Sequence, residues 1–166
     1  MKTTVNGWAL KTPEEFIFSV KIPRVVTHEK VLVGCDPEFE EFVDTMDILQ
    51  EKLGPMVLQF PFFKRSVFKT QSDFLDRFIP FLKKLPRDYK FAVEMRNKEW
   101  LNQDFADVLR EYKLAFVLQD QSWMPHPNEL ARDFDPITAD WTYTIGFPQF
   151  FFLCIQSFLL DRISKY

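Results

Sequence analysis

The chain has 166 residues, of which 46% are hydrophobic and 27% charged, so it can bury a substantial core and is not a disordered protein. Its 21 basic and 24 acidic side chains give a net charge of -3, which excludes a global basic field for nucleic acid or anionic membrane. Cys35 and Cys154 lie too far apart for a zinc or disulfide motif, which favours a reducing cytoplasm. The N-terminus lacks signal-peptide features, and the most apolar run, residues 147–160, is interrupted and shorter than the ~20 residues of a membrane span.

Short apolar runs alternate along the chain with longer segments of helical period. This alternation predicts parallel strands joined by crossover helices, with strands buried on both faces. The predicted strands are residues 16–21, 56–60, 91–95, 114–119 and, with a weaker pattern, 137–140.

The first predicted helix covers residues 37–53. Asp36 and Pro37 supply a cap and a first-turn proline, and apolar residues then recur at helical spacing. Gly54 and Pro55 are expected to end it.

Two further helices and a turn are predicted downstream. Thr70 and Asp73 form a capping pair for the second helix, in which Pro80 should cause a kink or a split. Asn102 caps the third helix. A proline-rich loop follows Asp120, with a short turn expected near residues 128–133.

Five strands and three helices are compatible with two architectures. A closed eight-stranded barrel usually needs about 250 residues, so length alone favours an open, doubly wound sheet. In both architectures, ligands bind beyond the carboxyl ends of the strands.

Polar side chains close every apolar run. Because parallel strands end at the same edge, these side chains should meet there. They predict a site for a small anionic or polyhydroxylated molecule. The candidate catalytic residues are Glu94, His28, Lys21 and Asp120, and the candidate substrate-binding residues are Arg96, Gln59, Arg24 and Asp140.

Glu94 is the most informative of these residues, because it lies inside an apolar run where a carboxylate needs a partner. Arg96 lies two residues on, on the same face of the strand. The pair fits a general acid or base held by an arginine, and it also fits a structural ion pair.

No cofactor is predicted. Motifs for nucleotides and phosphate-cradling loops are missing, and the chain has only four glycines. A divalent metal held by some of His28, Glu94, Asp120 and Asp140 is an alternative without support from spacing. Trp100, Trp123 and Trp141 either stack on a ligand ring or pack in the core.

Four segments taken together resemble the YecE-like family, also called domain of unknown function 72. They are FIFSVKIPRVVTH (residues 16–28), LGPMVLQFP (53–61), FAVEMRNKEW (91–100) and ITADW (137–141). The resemblance implies a TIM-like barrel, here incomplete, with about five parallel strands and crossover helices. It also implies that Lys21, His28, Gln59, Glu94, Arg96 and Asp120 line the pocket. The family has no established reaction.

The resemblance also has limits. The family's opening strands have no counterpart before Met1, and residues after Tyr143 diverge. We therefore expect a partial family domain at residues 1–144, an apolar non-family tail at 145–166 and a truncated chain. An enzyme acting on a small molecule, a non-catalytic binding module and a fragment without independent function are all compatible with this sequence, which does not predict an oligomeric state.

Overall fold

The fold was obtained as a computed structural model, which describes residues 2–146. This part of the chain contains five α-helices and five β-strands. The helices are α1 (Lys2–Lys11), α2 (Asp36–Met46), α3 (Gln71–Leu82), α4 (Gln103–Glu111) and α5 (Pro127–Asp133). The strands are β1 (Phe18–Lys21), β2 (Leu53–Gln59), β3 (Phe91–Glu94), β4 (Ala115–Gln119) and β5 (Tyr143–Ile145). Shorter helical turns cover Val25–Glu29, Asp47–Lys52 and Lys98–Trp100.

The strand order decides between the two architectures that length left open. All neighbouring strands pair in parallel, and their order in the sheet is their order in the chain, β1-β2-β3-β4-β5. A doubly wound sheet would reverse its order at a switch point, whereas a barrel adds each strand on the same side. The sheet is therefore an open, curled half-barrel of the TIM type, as the family resemblance predicted.

The curl of the sheet brings its first and last strands together on the concave side. The Tyr143 hydroxyl of β5 lies 2.8 Å from Ser19 Oγ of β1, and Ser19 Oγ donates to Pro55 O at 3.1 Å. Because the serine proton is used on Pro55, the tyrosine is the donor to Ser19. This hydroxyl chain spans the trough between the two outer strands.

The convex side of the sheet holds the main core. Phenylalanines of α3, α4 and β4 and Phe60, which directly follows β2, pack ring against ring, with Phe60, Phe74, Phe78 and Phe105 almost fully buried. Helix α3 begins at the predicted cap: Thr70 Oγ1 accepts from Asp73 N, and Asp73 accepts from Thr70 N. Pro80 lies near the end of this helix and does not split it.

The first predicted helix is shorter than residues 37–53. Helix α2 ends at Met46, and a 3-10 segment follows to Lys52, where Gln50 adopts a φ of 49° that no continuous helix allows. Leu53, Gly54 and Pro55 belong to β2 rather than to a terminating turn. A Cβ on Gly54 would lie 2.5 Å from Ile17 Cγ2, so glycine lets β1 approach β2 closely.

The predicted fifth strand at residues 137–140 is wrong. The Thr138 side chain donates to Leu114 O at 2.6 Å and accepts from Phe116 N at 2.8 Å, so this segment meets the start of β4 through a side chain instead of through backbone pairing. Backbone pairing with β4 begins only at Tyr143. The position of Asp140 changes accordingly.

The N-terminal helix α1 was not predicted, since Thr3, Thr4 and Gly7 have low helix propensity. Tertiary contacts hold it. Val5 is fully buried, and Lys52 Nζ donates to Ala9 O and Thr12 O at 2.6 and 2.8 Å, which satisfies carbonyls at the end of the helix.

Within residues 2–146, no helix is long and apolar enough to cross a membrane. Most of the predicted C-terminal tail, and all of the apolar run at 147–160, lies outside the described residues.

Candidate functional site at the carboxyl ends of the strands

Side chains along the inner strands alternate between two environments. Leu58, Val93 and Leu118 point into the convex core, while their neighbours Val57, Ala92 and Val117 form a second apolar cluster with Tyr143 and Ile145 of β5. Because the period of a strand is two, the residue two positions beyond each member of the second cluster also faces the concave side. The concave face therefore has an apolar layer formed by the second cluster, and the next residues toward the carboxyl ends of the strands lie beyond this layer.

A polar row lies on top of this apolar layer, one residue from each of the first four strands. Its members are Lys21 of β1, Gln59 of β2, Glu94 of β3 and Gln119 of β4. Gln59 and Glu94 are direct partners in the parallel register. Each residue is the last of its strand, so the row occupies the end of the sheet where barrel enzymes bind ligands.

Hydrogen bonds join the first three members of this row, and Arg96 beyond them, into a chain. Lys21 Nζ donates to Gln59 Oε1, and Gln59 Nε2 donates to Glu94 Oε2 at 2.6 Å. Arg96 Nε donates to the other carboxylate oxygen, Glu94 Oε1, at 3.1 Å. The structure thus brings together four residues that the sequence proposed for the site.

Glu94 has the environment that the sequence predicted, a carboxylate inside an apolar strand with an arginine partner. The residue is 2% exposed, while the Arg96 side chain retains 35% exposure. A buried carboxylate needs compensation, which the guanidinium and the Gln59 amide provide together. Arg96 therefore compensates the charge of Glu94 while part of its side chain remains exposed to solvent.

His28 lies in a π-helical turn, Val25–Glu29, directly after β1, where the amide of Lys30 bonds to Val25 O at 2.9 Å. Burial lowers the pKa of the His28 imidazole, and the neighbouring charges of Arg24, Lys21 and Arg96 lower it further, against a small opposing effect of Glu29. The imidazole therefore binds a proton less readily in the folded chain than a free histidine does. Three cations of the predicted site, Arg24, Lys21 and Arg96, thus act electrostatically on His28.

The two aspartates of the predicted site have different positions. Asp120 directly follows β4, and its amide donates to Ile145 O at 3.1 Å, so it lies at the carboxyl end of the sheet. Asp140 precedes β5 and is exposed. Lys90, which precedes β3, makes a cation–π contact with the neighbouring Trp141, with its Nζ 5.7 Å from the centre of the ring. Asp140 thus lies at the amino ends of the strands, away from the polar row.

Gln119 completes the row at β4. Its Nε2 donates to Met95 O at 3.3 Å, whereas among the described residues its buried Oε1 has no hydrogen-bond partner. Because Met95 O can only accept, the orientation of the amide is fixed by this bond. The sequence placed Gln119 at a strand end without giving it a role.

Asn97 is a residue that sequence reasoning missed. It is 1% exposed, its Oδ1 accepts from Phe63 N at 2.8 Å and its Nδ2 donates to Phe63 O at 2.9 Å. This reciprocal pair fastens the loop after β2 to the loop after β3. The only sequence signal was a polar residue shortly after the strand that contains Glu94.

The three tryptophans have separate surroundings. Trp100 is buried and packs against Phe63 and Phe74, so it belongs to the core. Trp141 lies at the amino ends. Trp123, in the loop after β4, is 54% exposed.

No three His, Cys, Asp or Glu side chains within residues 2–146 are grouped as a metal site would require. His28, Glu94, Asp120 and Asp140 do not form such a group, and Asp140 lies at the opposite end of the sheet. The residues thus do not fit the metal site considered from the sequence.

Two clefts lie away from the polar row. One, of about 440 Å³, is lined by α2 and α3 residues and bordered by the Lys84–Asp36 ion pair. The other, of about 430 Å³, lies at the amino ends between Leu82 and Leu114. Neither contains a predicted site residue, whereas the row faces an open trough.

The fold and the polar strand ends together define a family of barrel proteins. The family model described as "Protein of unknown function DUF72" matches residues 1–144, and the chain belongs to this family.

Relatives of this chain come from several bacteria. The UPF0759 protein YecE of Escherichia coli K12 is 29% identical over 100 residues, which cover 58% of this chain and 33% of YecE. The crystal structure of a DUF72 family protein from Thermotoga maritima MSB8 is similar with a TM-score of 0.67 and 28% identity, covering 86% of this chain and 53% of that one.

A second DUF72 family structure, from Enterococcus faecalis V583, has a TM-score of 0.55 and 24% identity, covering 83% of this chain and 56% of its own, and it supports the fold alone. The matched part of this chain therefore spans a third to about half of the length of these relatives.

Proposed function

We propose that the polar row and the residues beside it form a binding site for a small anionic, hydroxylated molecule, on which the site performs acid–base chemistry. The observation that supports this proposal most strongly is the hydrogen-bonded chain from Lys21 through Gln59 to the buried Glu94 and on to Arg96. Such a chain fixes charged groups in place before a ligand arrives, which is how barrel sites recognise charged ligands.

Three cations would hold the anionic group. Lys21 and Arg24 are exposed, and Arg96 is partly exposed while its Nε is bound to Glu94. The Arg96 terminal nitrogens remain suited to a carboxylate or phosphate, because a guanidinium offers five donors in a planar fork. Gln59 would contribute by holding Lys21 and Glu94 at a fixed separation.

His28 and Asp120 are the proposed acid–base groups, and Glu94 is proposed to position Arg96 beside them. A neutral imidazole beside three cations can accept a proton from a ligand that those cations bind. Glu94 would mainly orient Arg96, since both of its oxygens already accept hydrogen bonds. Asp120, at the carboxyl end of β4, would supply a second carboxylate on the other side of the trough.

A non-catalytic binding module is the second candidate. The burial of Glu94 favours it, because a carboxylate with 3% side-chain exposure and two engaged oxygens exchanges protons with a ligand only after rearrangement. In this case the same residues would hold the ligand without reaction. Both candidates share the anion-binding step.

A small molecule, rather than nucleic acid or membrane, is the proposed partner, and the cytoplasm the proposed location. The net charge of -3 supports the first part, since it gives no long-range attraction for polyanions. Both statements stay predictions.

Calorimetric titration with sn-glycerol 3-phosphate tests the anion site. Arg24→Gln removes one cation beside His28, and we expect its affinity for the probe to fall about fivefold, the effect of one lost hydrogen bond. Lys83→Gln is the control. It also removes one positive charge, but Lys83 lies at the carboxyl end of α3, where the chain returns to the amino end of β3, away from the polar row. Equal affinity in both variants and in the wild-type chain would contradict the proposed location.

Proton NMR of the chain incubated with hydroxy acids and sugar phosphates separates the two candidates. New product signals that disappear in His28→Asn and Glu94→Gln would support an enzyme. Ligand-induced stabilisation without any product would support a binding module.

A further inference from the structure

Thr27 is a fully buried hydroxyl placed between two polar groups of the π-helical turn. Its Oγ1 lies 2.8 Å from His28 Nδ1 and 3.5 Å from Pro23 O. No hydrogen bond within residues 2–146 involves His28 Nε2. Sequence reasoning gave Thr27 no role.

The proton count on these groups favours one arrangement. If Thr27 donates to Nδ1, the hydroxyl makes one hydrogen bond and leaves Pro23 O to backbone amides. If Nδ1–H donates to Thr27, the hydroxyl proton remains available for Pro23 O, the usual partner of a threonine one turn along a helix, and two bonds form. The second arrangement leaves the Nε2 lone pair free.

The charges that act on His28 include three cations of the proposed site, Lys21, Arg24 and Arg96, with Glu29 as the opposing anion. In the second arrangement the Nε2 lone pair can accept a hydrogen bond from a ligand that these cations bind.

We propose that Thr27 is a positioning residue that holds His28 in the Nδ1–H tautomer, so that Nε2 accepts a hydrogen bond from a hydroxyl of the ligand. The inference rests on the proposed anion site and makes its ligand more specific. The ligand carries an anionic group for the three cations and, within reach of that group, a hydroxyl for Nε2. Hydroxy acids and phosphorylated polyols have this chemistry.

The second histidine of the chain is an internal standard. His126 caps α5, and its Nδ1 accepts from Asn128 N at 3.2 Å, so its proton is on Nε2. The two histidines should therefore have opposite tautomers. Because the chain has only His28 and His126, both sets of imidazole nitrogen signals can be assigned without ambiguity.

Nitrogen-15 NMR of histidine-labelled protein tests the tautomer directly, at about pH 8, well above the ordinary histidine pKa of about 6.5. We expect Nδ1–H for His28 and Nε2–H for His126. In Thr27→Val the His28 signals should shift toward a mixture of tautomers, in Thr27→Ser they should stay as in the wild type, and His126 should not change. A wild-type His28 in the Nε2–H form would overturn the inference.

Calorimetric titration of the same variants with two probes tests the ligand class. n-Propyl phosphate keeps the anion of sn-glycerol 3-phosphate and lacks both hydroxyls. We expect glycerol 3-phosphate to bind about fivefold more tightly than propyl phosphate in the wild type and Thr27→Ser, with the difference lost in Thr27→Val.

The possible results separate this inference from the proposed function. Equal binding of both probes to the wild-type chain would overturn the role of Thr27 and His28 and leave the anion site in place. Binding of neither probe would overturn the anion site for this class of ligand, while the tautomer measurement would still decide what Thr27 does.

Discussion

At the scale of single residues, local sequence predicts a charged pair better than it predicts a proton position. Arg96 lies two residues after Glu94, the last residue of β3, so the alternation of an extended backbone brings both side chains to the same face. The role of Thr27 depends on a π-helical turn, which packing imposes and which the run of ordinary residues before His28 does not signal. The acid–base candidate was therefore found from sequence, but its partner was not.

The lowered pKa of His28 makes folding stability depend on pH. The unfolded chain binds the proton more tightly than the folded chain, so the stabilising effect is complete above the ordinary pKa of about 6.5 and is lost as pH falls toward the folded pKa. We expect the free energy of unfolding of the wild type to decrease between about pH 7.5 and about pH 5.5 more than that of His28→Asn.

Urea unfolding at both pH values measures this difference. Identical pH profiles for the wild type and His28→Asn would contradict the environment described for His28.

At the scale of elements, the best-predicted segments are those in which a cap, a period and a burial pattern agree. Helix α3 begins at its capping pair and α4 at Asn102, whose Oδ1 accepts from Phe105 N at 3.0 Å. Strand β5 was misplaced because residues 137–140 resemble a strand, while Thr138 binds the backbone of β4 through its side chain. A pattern of apolar residues does not reveal a long-range side-chain contact of this kind.

Thr138 should consequently stabilise the start of β4. Thr138→Val keeps the shape of the side chain and leaves Phe116 N–H and Leu114 O without this partner, at an expected cost of about 2 kcal/mol. Urea denaturation measures the loss, and Thr142→Val, in the next loop segment, serves as the control. A loss below about 0.5 kcal/mol, the usual effect of a surface change, would contradict this role.

At the scale of the whole molecule, the strand order identifies the architecture. The hydrogen bond between Tyr143 and Ser19 shows that the sheet is curved. The length of the chain favoured an open, doubly wound sheet, and composition offered no reason to reject it. The resemblance to the DUF72 family predicted the curl of the sheet, which composition could not, since the curl brings together residues as distant in sequence as Ser19 and Tyr143.

This contact predicts an energetic coupling between the first and last strands. Tyr143→Phe and Ser19→Ala should each lower the free energy of unfolding by about 1 kcal/mol, and the double variant should lose less than the sum. A double-mutant cycle in urea measures the coupling, and additive losses would indicate that β1 and β5 do not meet. Tyr89→Phe is a control hydroxyl deletion, since Tyr89 bonds to Asp47 on the convex side.

The reciprocal bond between Asn97 and the Phe63 backbone has a mechanical consequence for the rim of the trough. Two loops that emerge from adjacent strands are joined at a buried point, so they cannot open independently. We therefore expect a molecule that displaces the loop after β2 to displace the loop after β3 as well, and with it the neighbouring Arg96.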